Sequence, residues 1–299
     1  MRDYTTIQEL VNLANEKGGF FEAVLDNYAE DADARGAAVR RMADSLNVMR
    51  DSIKEGLNPD ARSMSGRVGG QAAKLLAAVR AGRTFGGNVL GAACAYALAA
   101  AECNACMGRI VAAPTAGACG VLPAALFAAQ EEKGYTDEQL VRALFTAAGF
   151  GKVIALRSGI SGAEGGCQAE CGSASAMAAA ALCDLAGGTP EACADAAGFA
   201  GMNLLGLVCD PVEGLVEVPC VYRNIVGVAN AVCAANLALS GVGLIMPADE
   251  VIDAMRRVGR QLPASLRETG EGGCAACRLN ETGRKYSRGV TAALFRAWD

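Results

Sequence analysis

The chain has 299 residues, of which 52% are hydrophobic and 20% charged, a composition typical of a globular protein with a large core. Aromatic residues make up only 5%, so the core must be built from small aliphatic side chains, which favours closely packed helices. The net charge is −5 with both signs mixed, and no run of Lys or Arg offers a surface to nucleic acid, which we therefore exclude as a partner.

The N-terminal section, residues 1–60, predicts amphipathic helices. Apolar residues recur at three- and four-residue spacing between charges in IQELVNLANEK and in the stretch that begins FFEAVLDNY. Asn58-Pro59-Asp60 is typical of a turn and ends this section. The N-terminus is polar and acidic where an export signal requires an apolar segment, so we expect a cytoplasmic protein.

From Gly69 onward the sequence consists of alanine-rich segments separated by glycines, which again predict helices. Two uncharged stretches, residues 110–130 and 224–248, are long enough to span a membrane. Gly, Asn, Ser and Pro dilute both, so we interpret them as parts of a buried core and predict no membrane span.

Two helix starts are marked by Thr189-Pro190-Glu191 and by Pro247-Ala248-Asp249. The best strand candidate is LVEVPCVY, residues 215–222. Since no linker or repeat divides the chain, we predict one mostly α-helical domain over residues 1–299, with Gly- and Pro-rich turns that carry the functional site.

The chain contains 13 cysteines. In a reducing cytoplasm they are not expected to form disulfides. Four lie in alanine-rich helical stretches, where a thiol packs as a small apolar group; they are Cys94, Cys183, Cys193 and Cys233. Two C-x-x-C pairs have the spacing of zinc ligands, namely Cys103 with Cys106 and Cys274 with Cys277. A noncatalytic zinc-binding helical module is therefore one alternative, although the two pairs are far apart in sequence.

Cys167, Cys209 and Cys220 lie in a different setting, on turns rich in Gly and Pro: GAEGGCQAE, LVCDPVEG and EVPCVYRN. Exposed backbone amides on such turns stabilise the negative charge of an iron–sulfur cluster. Their wide spacing forms no short signature, so the pattern alone leaves the metal open.

A family resemblance narrows this choice. The strings NACMGRIVAAPTAGACGVLPAAL, ISGAEGGCQAECGSASAMAAAAL, NLLGLVCDPVEGLVEVPCVYRN and LRETGEGGCA resemble the α chain of the iron–sulfur-dependent L-serine dehydratases. They occur in order over residues 65–284, most of the chain. The sequence departs from the family at Cys171, Cys274 and Cys277, where relatives more often carry other residues.

The resemblance implies a lyase that converts L-serine to pyruvate and ammonia. It implies a [4Fe–4S] cluster held by Cys167, Cys209 and Cys220, with one iron left open as a Lewis acid for the substrate hydroxyl. It also implies a separate β chain that completes the enzyme. Preference for L-threonine or L-cysteine in place of L-serine stays open.

A base must remove the Cα proton, and the chain contains no histidine. The candidates are Ser161, Lys152, Glu164 or a group supplied by the β chain. For Ser161 a role as a helix cap is an equal alternative.

The substrate carboxylate requires donors. The turn at Thr115, Ala116 and Gly117 offers a hydroxyl and amides. Arg223 and Asn224, just after Cys220, are candidates for a clamp, with a structural ion pair as the alternative for Arg223.

Dehydration with pyridoxal phosphate is a rival mechanism that requires a Schiff-base lysine. The chain has six lysines, Lys17, Lys54, Lys74, Lys133, Lys152 and Lys285. None lies in a matching motif with a phosphate-binding glycine loop.

Overall fold

A computed structural model of the chain describes residues 3–29 and 31–279, so Lys285 and the end of the 65–284 region lie outside the described part. The predicted helical fold is confirmed, because α-helices account for most of these residues. They are α1 (Ile7–Lys17), α2 (Phe20–Tyr28), α3 (Ala32–Gly56), α4 (Gln71–Arg80), α5 (Gly87–Ala105), α6 (Val121–Lys133), α7 (Asp137–Arg157), α8 (Gly162–Gly165), α9 (Ser173–Leu185), α10 (Pro190–Asn203), α11 (Cys220–Leu239) and α12 (Ala248–Gln261).

The core is built around the alanine-rich helix α9, which packs against α6, α7, α10 and α11. Ten of the residues of α9 are buried, and most of them are alanines. Small side chains let helix backbones approach closely, as where Gly56 of α3 meets α5. A Cβ at Gly56 would lie 1.8 Å from the Ala99 carbonyl oxygen, so only glycine fits there. A core with few aromatic residues therefore allows the helices to pack this closely.

The N-terminal section forms α1 to α3, as its periodicity predicts. Thr6 and Glu9 form a capping box at the start of α1. Two aromatic edge contacts join α2 to α7, with ring centroids 5.3 Å apart for Phe20 and Phe150 and 5.2 Å apart for Phe21 and Phe145. The section therefore packs onto α7 as part of the main body.

Both predicted helix starts are confirmed. The Thr189 side chain accepts a hydrogen bond from Ala192 N–H at 3.2 Å, and Pro190 is the first residue of α10. Pro247 precedes α12.

The predicted strand at residues 215–222 is wrong. This segment forms turns as far as Pro219, and α11 begins at Cys220. Glu217 is turned inward, where its buried carboxylate accepts hydrogen bonds from the backbone N–H and hydroxyl of Ser65. Glu217 is held by this tertiary contact, and Pro219 has no N–H to donate. The segment therefore does not form the backbone hydrogen bonds between neighbouring strands that a sheet requires.

One helix in the described part of the chain, α7, is long and apolar enough by composition to cross a membrane. Its apolar 18-residue window is 61% buried within the fold, as in a core helix.

Candidate active site

Cys167 lies on an irregular helical turn between α8 and α9. Gly166 redirects the chain with a φ of +76°, and a π-helical turn over Gln168–Gly172 then runs directly into α9. Such widened turns occur frequently at functional sites. The buried side chain of Gln168 fixes the turn, since it accepts from Gly206 N–H and donates to a carbonyl of α12, both at 2.9 Å.

Cys209 lies in the loop between α10 and α11 and is 4% exposed. The segment after α12 holds its backbone on both sides. Its N–H donates to the Leu266 carbonyl at 2.9 Å, and its carbonyl accepts from Glu268 N–H at 2.7 Å. Its Sγ lies 3.9 Å from Oε2 of Glu170, a residue of the π turn. Cys209 is therefore held against the turn that follows Cys167.

Cys220 is the first residue of α11, and Arg223 lies one turn further along the helix. The Arg223 guanidinium donates to the Val208 carbonyl at 2.6 Å and lies 2.7 Å from Oδ1 of the buried Asp210. These contacts tie the loop that carries Cys209 to the start of the helix that carries Cys220.

The three thiols lie close enough to influence one another electrostatically. Burial, followed by the charge of Cys167, raises the pKa of Cys220 to about 12. Burial, a neighbouring carboxylate and Cys167 raise the pKa of Cys209. A hydrogen bond from Cys171 and then a nearby guanidinium lower the pKa of Cys167. Contacts between the segments place them side by side, because Cys209 Sγ lies 3.9 Å from Glu170 of the turn after Cys167, and Arg223 of the helix that begins at Cys220 bonds to the loop that carries Cys209.

Glu170 lies among these cysteines, and the sequence reasoning missed it. Its Oε1 accepts a hydrogen bond from the Thr115 hydroxyl at 2.7 Å. Burial raises the pKa of its carboxyl, and the Thr115 hydrogen bond opposes that shift. In sequence it is a single acidic residue three positions after Cys167, which does not separate it from Glu164 three positions before that cysteine.

The turn at Thr115, Ala116 and Gly117 is brought to the same place. Because the Thr115 hydroxyl donates to Glu170, it is not free to donate to a substrate. Within the described residues, the backbone N–H groups of Ala116 and Gly117 make no hydrogen bond to protein. The two amides, rather than the hydroxyl, are thus the open donors of the turn.

Asn224 holds this turn in place. It is 1% exposed, its Oδ1 accepts from Gly120 N–H at 2.9 Å, and its Nδ2 donates to the carbonyls of Gly117 at 2.8 Å and Cys220 at 2.9 Å. The structure thus gives Asn224 a bridging role between turn and helix. Arg223 likewise forms the ion pair that the sequence reasoning held as its alternative role.

The three candidate bases differ in position. Ser161 occupies the N-cap of α8, yet its side chain makes no capping hydrogen bond. Glu164 is exposed on α8. Lys152 is held elsewhere, because its ammonium lies 2.5 Å from Asp3 and 4.3 Å from the centre of the Tyr4 ring. Of these residues, Ser161 is the one beside the cysteine site, since Gly162 packs next to Cys209 Sγ.

The two C-x-x-C pairs have separate surroundings. Cys103 contacts Glu55 at 3.3 Å, whereas the backbone N–H of Cys274 donates to Asp210 at 2.6 Å. In the described part of the chain, no group of three His, Cys, Asp or Glu side chains is arranged to hold a single metal ion. A four-iron cluster binds each cysteine to a different iron and does not need the sulfurs to meet at one point.

Comparison with known proteins gives consistent matches. Residues 15–275 match the family model described as serine dehydratase alpha chain. The chain is 45% identical over 291 residues to the probable L-serine dehydratase, alpha chain, of Bacillus subtilis (strain 168), covering 96% of this chain and 95% of that one. It is 41% identical over 285 residues to the L-serine dehydratase, alpha chain, of Peptoniphilus asaccharolyticus, covering 95% and 97%.

A second kind of relative is longer. The L-serine dehydratase 1 of Escherichia coli (strain K12) is 43% identical over 182 residues, which cover 60% of this chain and 40% of that protein.

Proposed function

The chain belongs to the serine dehydratase alpha chain family, and we propose that it is the catalytic subunit of a lyase that converts L-serine to pyruvate and ammonia. The observation that carries the proposal is the packing of three cysteine-bearing segments against one another in a chain of this family: Cys209 contacts Glu170 of the turn after Cys167, and Arg223 of the helix that begins at Cys220 bonds to the loop that carries Cys209.

We propose that these three cysteines hold a [4Fe–4S] cluster. The donor set supports this assignment, because three thiols from three separate elements converge and two of them are 4% exposed. Without a metal, burial raises the pKa of both Cys209 and Cys220, so a bound cation is what would favour their thiolate forms. When bound, such a cluster with three protein ligands supplies one open iron as a Lewis acid for the hydroxyl of the substrate.

The protein's own part in binding begins with the substrate carboxylate. The open amides of Ala116 and Gly117 can donate to it, and Asn224 keeps their turn in position. Arg223 is committed to Asp210 and to a carbonyl, so it contributes positive charge beside the thiols rather than a direct clamp.

Removal of the Cα proton requires a group at the same place. Ser161 remains our candidate from this chain, because its hydroxyl makes no capping bond and the next residue, Gly162, packs against Cys209 and Glu170. The enamine formed by loss of water would hydrolyse to pyruvate and ammonia. A group from a partner chain is the second source of the base, since this chain has no histidine.

We further propose that a β chain completes the enzyme. Two relatives that match over nearly their whole length are named alpha chains, whereas the matched region is only 40% of the longer dehydratase. Exposed apolar residues on α11 would be covered by such a chain; they include Tyr222, Val226 and Leu237. We expect the assembled enzyme in the cytoplasm, where thiols stay reduced.

The proposal is tested by anaerobic reconstitution with iron and sulfide, followed by metal and sulfide analysis and by pyruvate release. The assay uses L-serine, L-threonine and L-cysteine, with and without the β chain. We expect iron and acid-labile sulfide in the reconstituted chain, and pyruvate from L-serine once the β chain is added. Zinc without sulfide would instead indicate the noncatalytic module.

Single substitutions locate the cluster. Cys167→Ala, Cys209→Ala and Cys220→Ala should each lose iron and activity, because each removes one of only three proposed ligands. Cys183→Ala and Cys193→Ala are matched controls, since these thiols are fully buried in helices away from the site. Full iron content in Cys209→Ala would remove that residue from the ligand set.

A further inference from the structure

Glu170 is a half-buried carboxylate that has no part in the proposed reaction. Oε1 accepts the Thr115 hydroxyl at 2.7 Å, and Oε2 lies 3.9 Å from Cys209 Sγ. The backbone on both sides closes onto it: a Cβ at Gly117 would lie 3.1 Å from Oε1, and one at Gly162 would lie 2.7 Å from Oε2. The carboxylate therefore lies beside Cys209, in a narrow space between the backbones of Gly117 and Gly162.

No cation of the described chain makes a hydrogen bond or ion pair with this carboxylate. The Arg223 guanidinium, which also lies at this site, forms its ion pair with Asp210 instead. The Thr115 hydroxyl is a neutral donor to Glu170, Cys209 has no proton to donate once it is a cluster ligand, and Glu268 adds a second negative charge nearby. A half-buried carboxylate with so few donors loses part of its hydration without replacing it, and a positive group that joins it would restore that stabilisation.

We propose that Glu170 binds the ammonium group of the amino-acid substrate. The inference rests on the proposed function, which makes L-serine, with one ammonium and one carboxylate on the same carbon, the molecule that enters this site. Glu170 then supplies the missing countercharge, and the ligand supplies the missing donor.

The position of Thr115 links the two ends of the substrate. Its hydroxyl fixes Oε1 of Glu170, while the open amides of Ala116 and Gly117 follow it directly in the chain. A molecule of the size of serine can contact Glu170 and these amides at the same time. Its ammonium group would then face Glu170, and its carboxylate would face the amides. The site should therefore reject molecules that keep the carboxylate and hydroxyl but have no ammonium.

The experiment compares two ligands that differ only in that group. Calorimetry on the reconstituted enzyme with its β chain measures binding of D-serine and of D-glycerate, which has a hydroxyl in place of the ammonium. Removing one partner of a buried charge pair commonly costs at least about 30-fold in affinity. We therefore expect D-serine to bind about 30-fold or more tightly than D-glycerate.

In Glu170→Gln this preference should fall to within about threefold, and KM for L-serine should rise by at least about tenfold, a larger change than in kcat. Glutamine has nearly the same size and shape as glutamate and can still accept the Thr115 hydrogen bond, so the variant should fold and bind iron like the parent. Glu170→Asp keeps the charge and should retain part of the preference.

Asp184 provides a matched control. It is also a partly buried carboxylate that accepts one threonine hydroxyl, from Thr146 at 2.5 Å, and burial raises its pKa as well. Asp184→Asn should leave the preference for D-serine unchanged.

The outcomes separate the inference from the proposed function. If the parent enzyme forms no pyruvate from L-serine, the proposed function fails, and this inference fails with it. If the parent is active and Glu170→Gln keeps the full preference for D-serine, only the inference is overturned. Loss of iron or of melting temperature in Glu170→Gln beyond that in Asp184→Asn would assign Glu170 a structural role and would equally overturn it.

Discussion

Gly162 is the position where a single added methyl group should disturb the site most directly. The Cβ of alanine at this position would lie 2.7 Å from Glu170 Oε2 and 3.0 Å from Cys209 Sγ. Carbon and oxygen in contact are normally about 3.3–3.6 Å apart. Either the carboxylate must retreat by roughly 0.6–0.9 Å, or α8 must shift by a similar amount.

We expect Gly162→Ala to destabilise the fold by about 1–3 kcal/mol, the usual cost of overpacking a core. Helix propensity alone would instead predict a stabilisation, because alanine is favoured over glycine by about 1 kcal/mol in a helix. The retreat of Glu170 should also stretch its hydrogen bond with Thr115 and displace Cys209. Iron retention and activity should therefore fall together with stability.

The measurement is urea unfolding of the chain, with iron content and pyruvate release on the reconstituted enzyme. Gly172→Ala is the matched control, since a Cβ there would have no neighbour closer than 3.7 Å, the side chain of Leu204. The control should be neutral or slightly stabilising. If Gly162→Ala were as stable as the control and kept its iron, the contact of Gly162 with Glu170 and Cys209 would be refuted.

Two further substitutions test the placement of predicted site residues. Asn224→Ala removes three hydrogen bonds to buried or half-buried backbone groups and should cost about 3 kcal/mol in urea unfolding while raising KM. The control is Asn203→Ala at an exposed position, and an equal effect of the two substitutions would contradict the bridging role. Lys152→Met removes the contacts with Asp3 and Tyr4 and should lower the melting temperature slightly without changing kcat, whereas a loss of kcat at normal stability would restore Lys152 as a candidate base.

The sequence determined the fold class and much of the site's membership. Helix periodicity and end signals depend on residues close together in the chain, so they identified α1 to α3 and the starts of α10 and α12. Motifs rich in Gly and Pro pointed to Cys167, Cys209 and Cys220, and the segments that carry these residues contact one another in the structure. Their role as cluster ligands stays a prediction until iron is measured.

Tertiary structure alone decided what each polar residue does. Residues 215–222 are rich in the β-branched and aromatic residues that strands favour, yet a distant partner, Ser65, accompanies an inward turn of Glu217, and the segment forms turns that lead into α11. Asn224 and Arg223 look like free ligands in sequence, but both are occupied by neighbouring loops. Lys152 lies near the motif in sequence and is turned toward the N-terminal section in space.

The role of Glu170 could not be predicted from the sequence either. Nothing local distinguishes it from the exposed Glu164 six residues earlier, because both are single acids in a glycine- and alanine-rich stretch. The π turn directs Glu170 inward to Thr115 and Cys209, which come from loops distant in the sequence. Local sequence pattern specifies which face of a helix is apolar. The neighbours of a charged side chain inside the fold are set only when separate segments pack together, and those neighbours determine its chemistry.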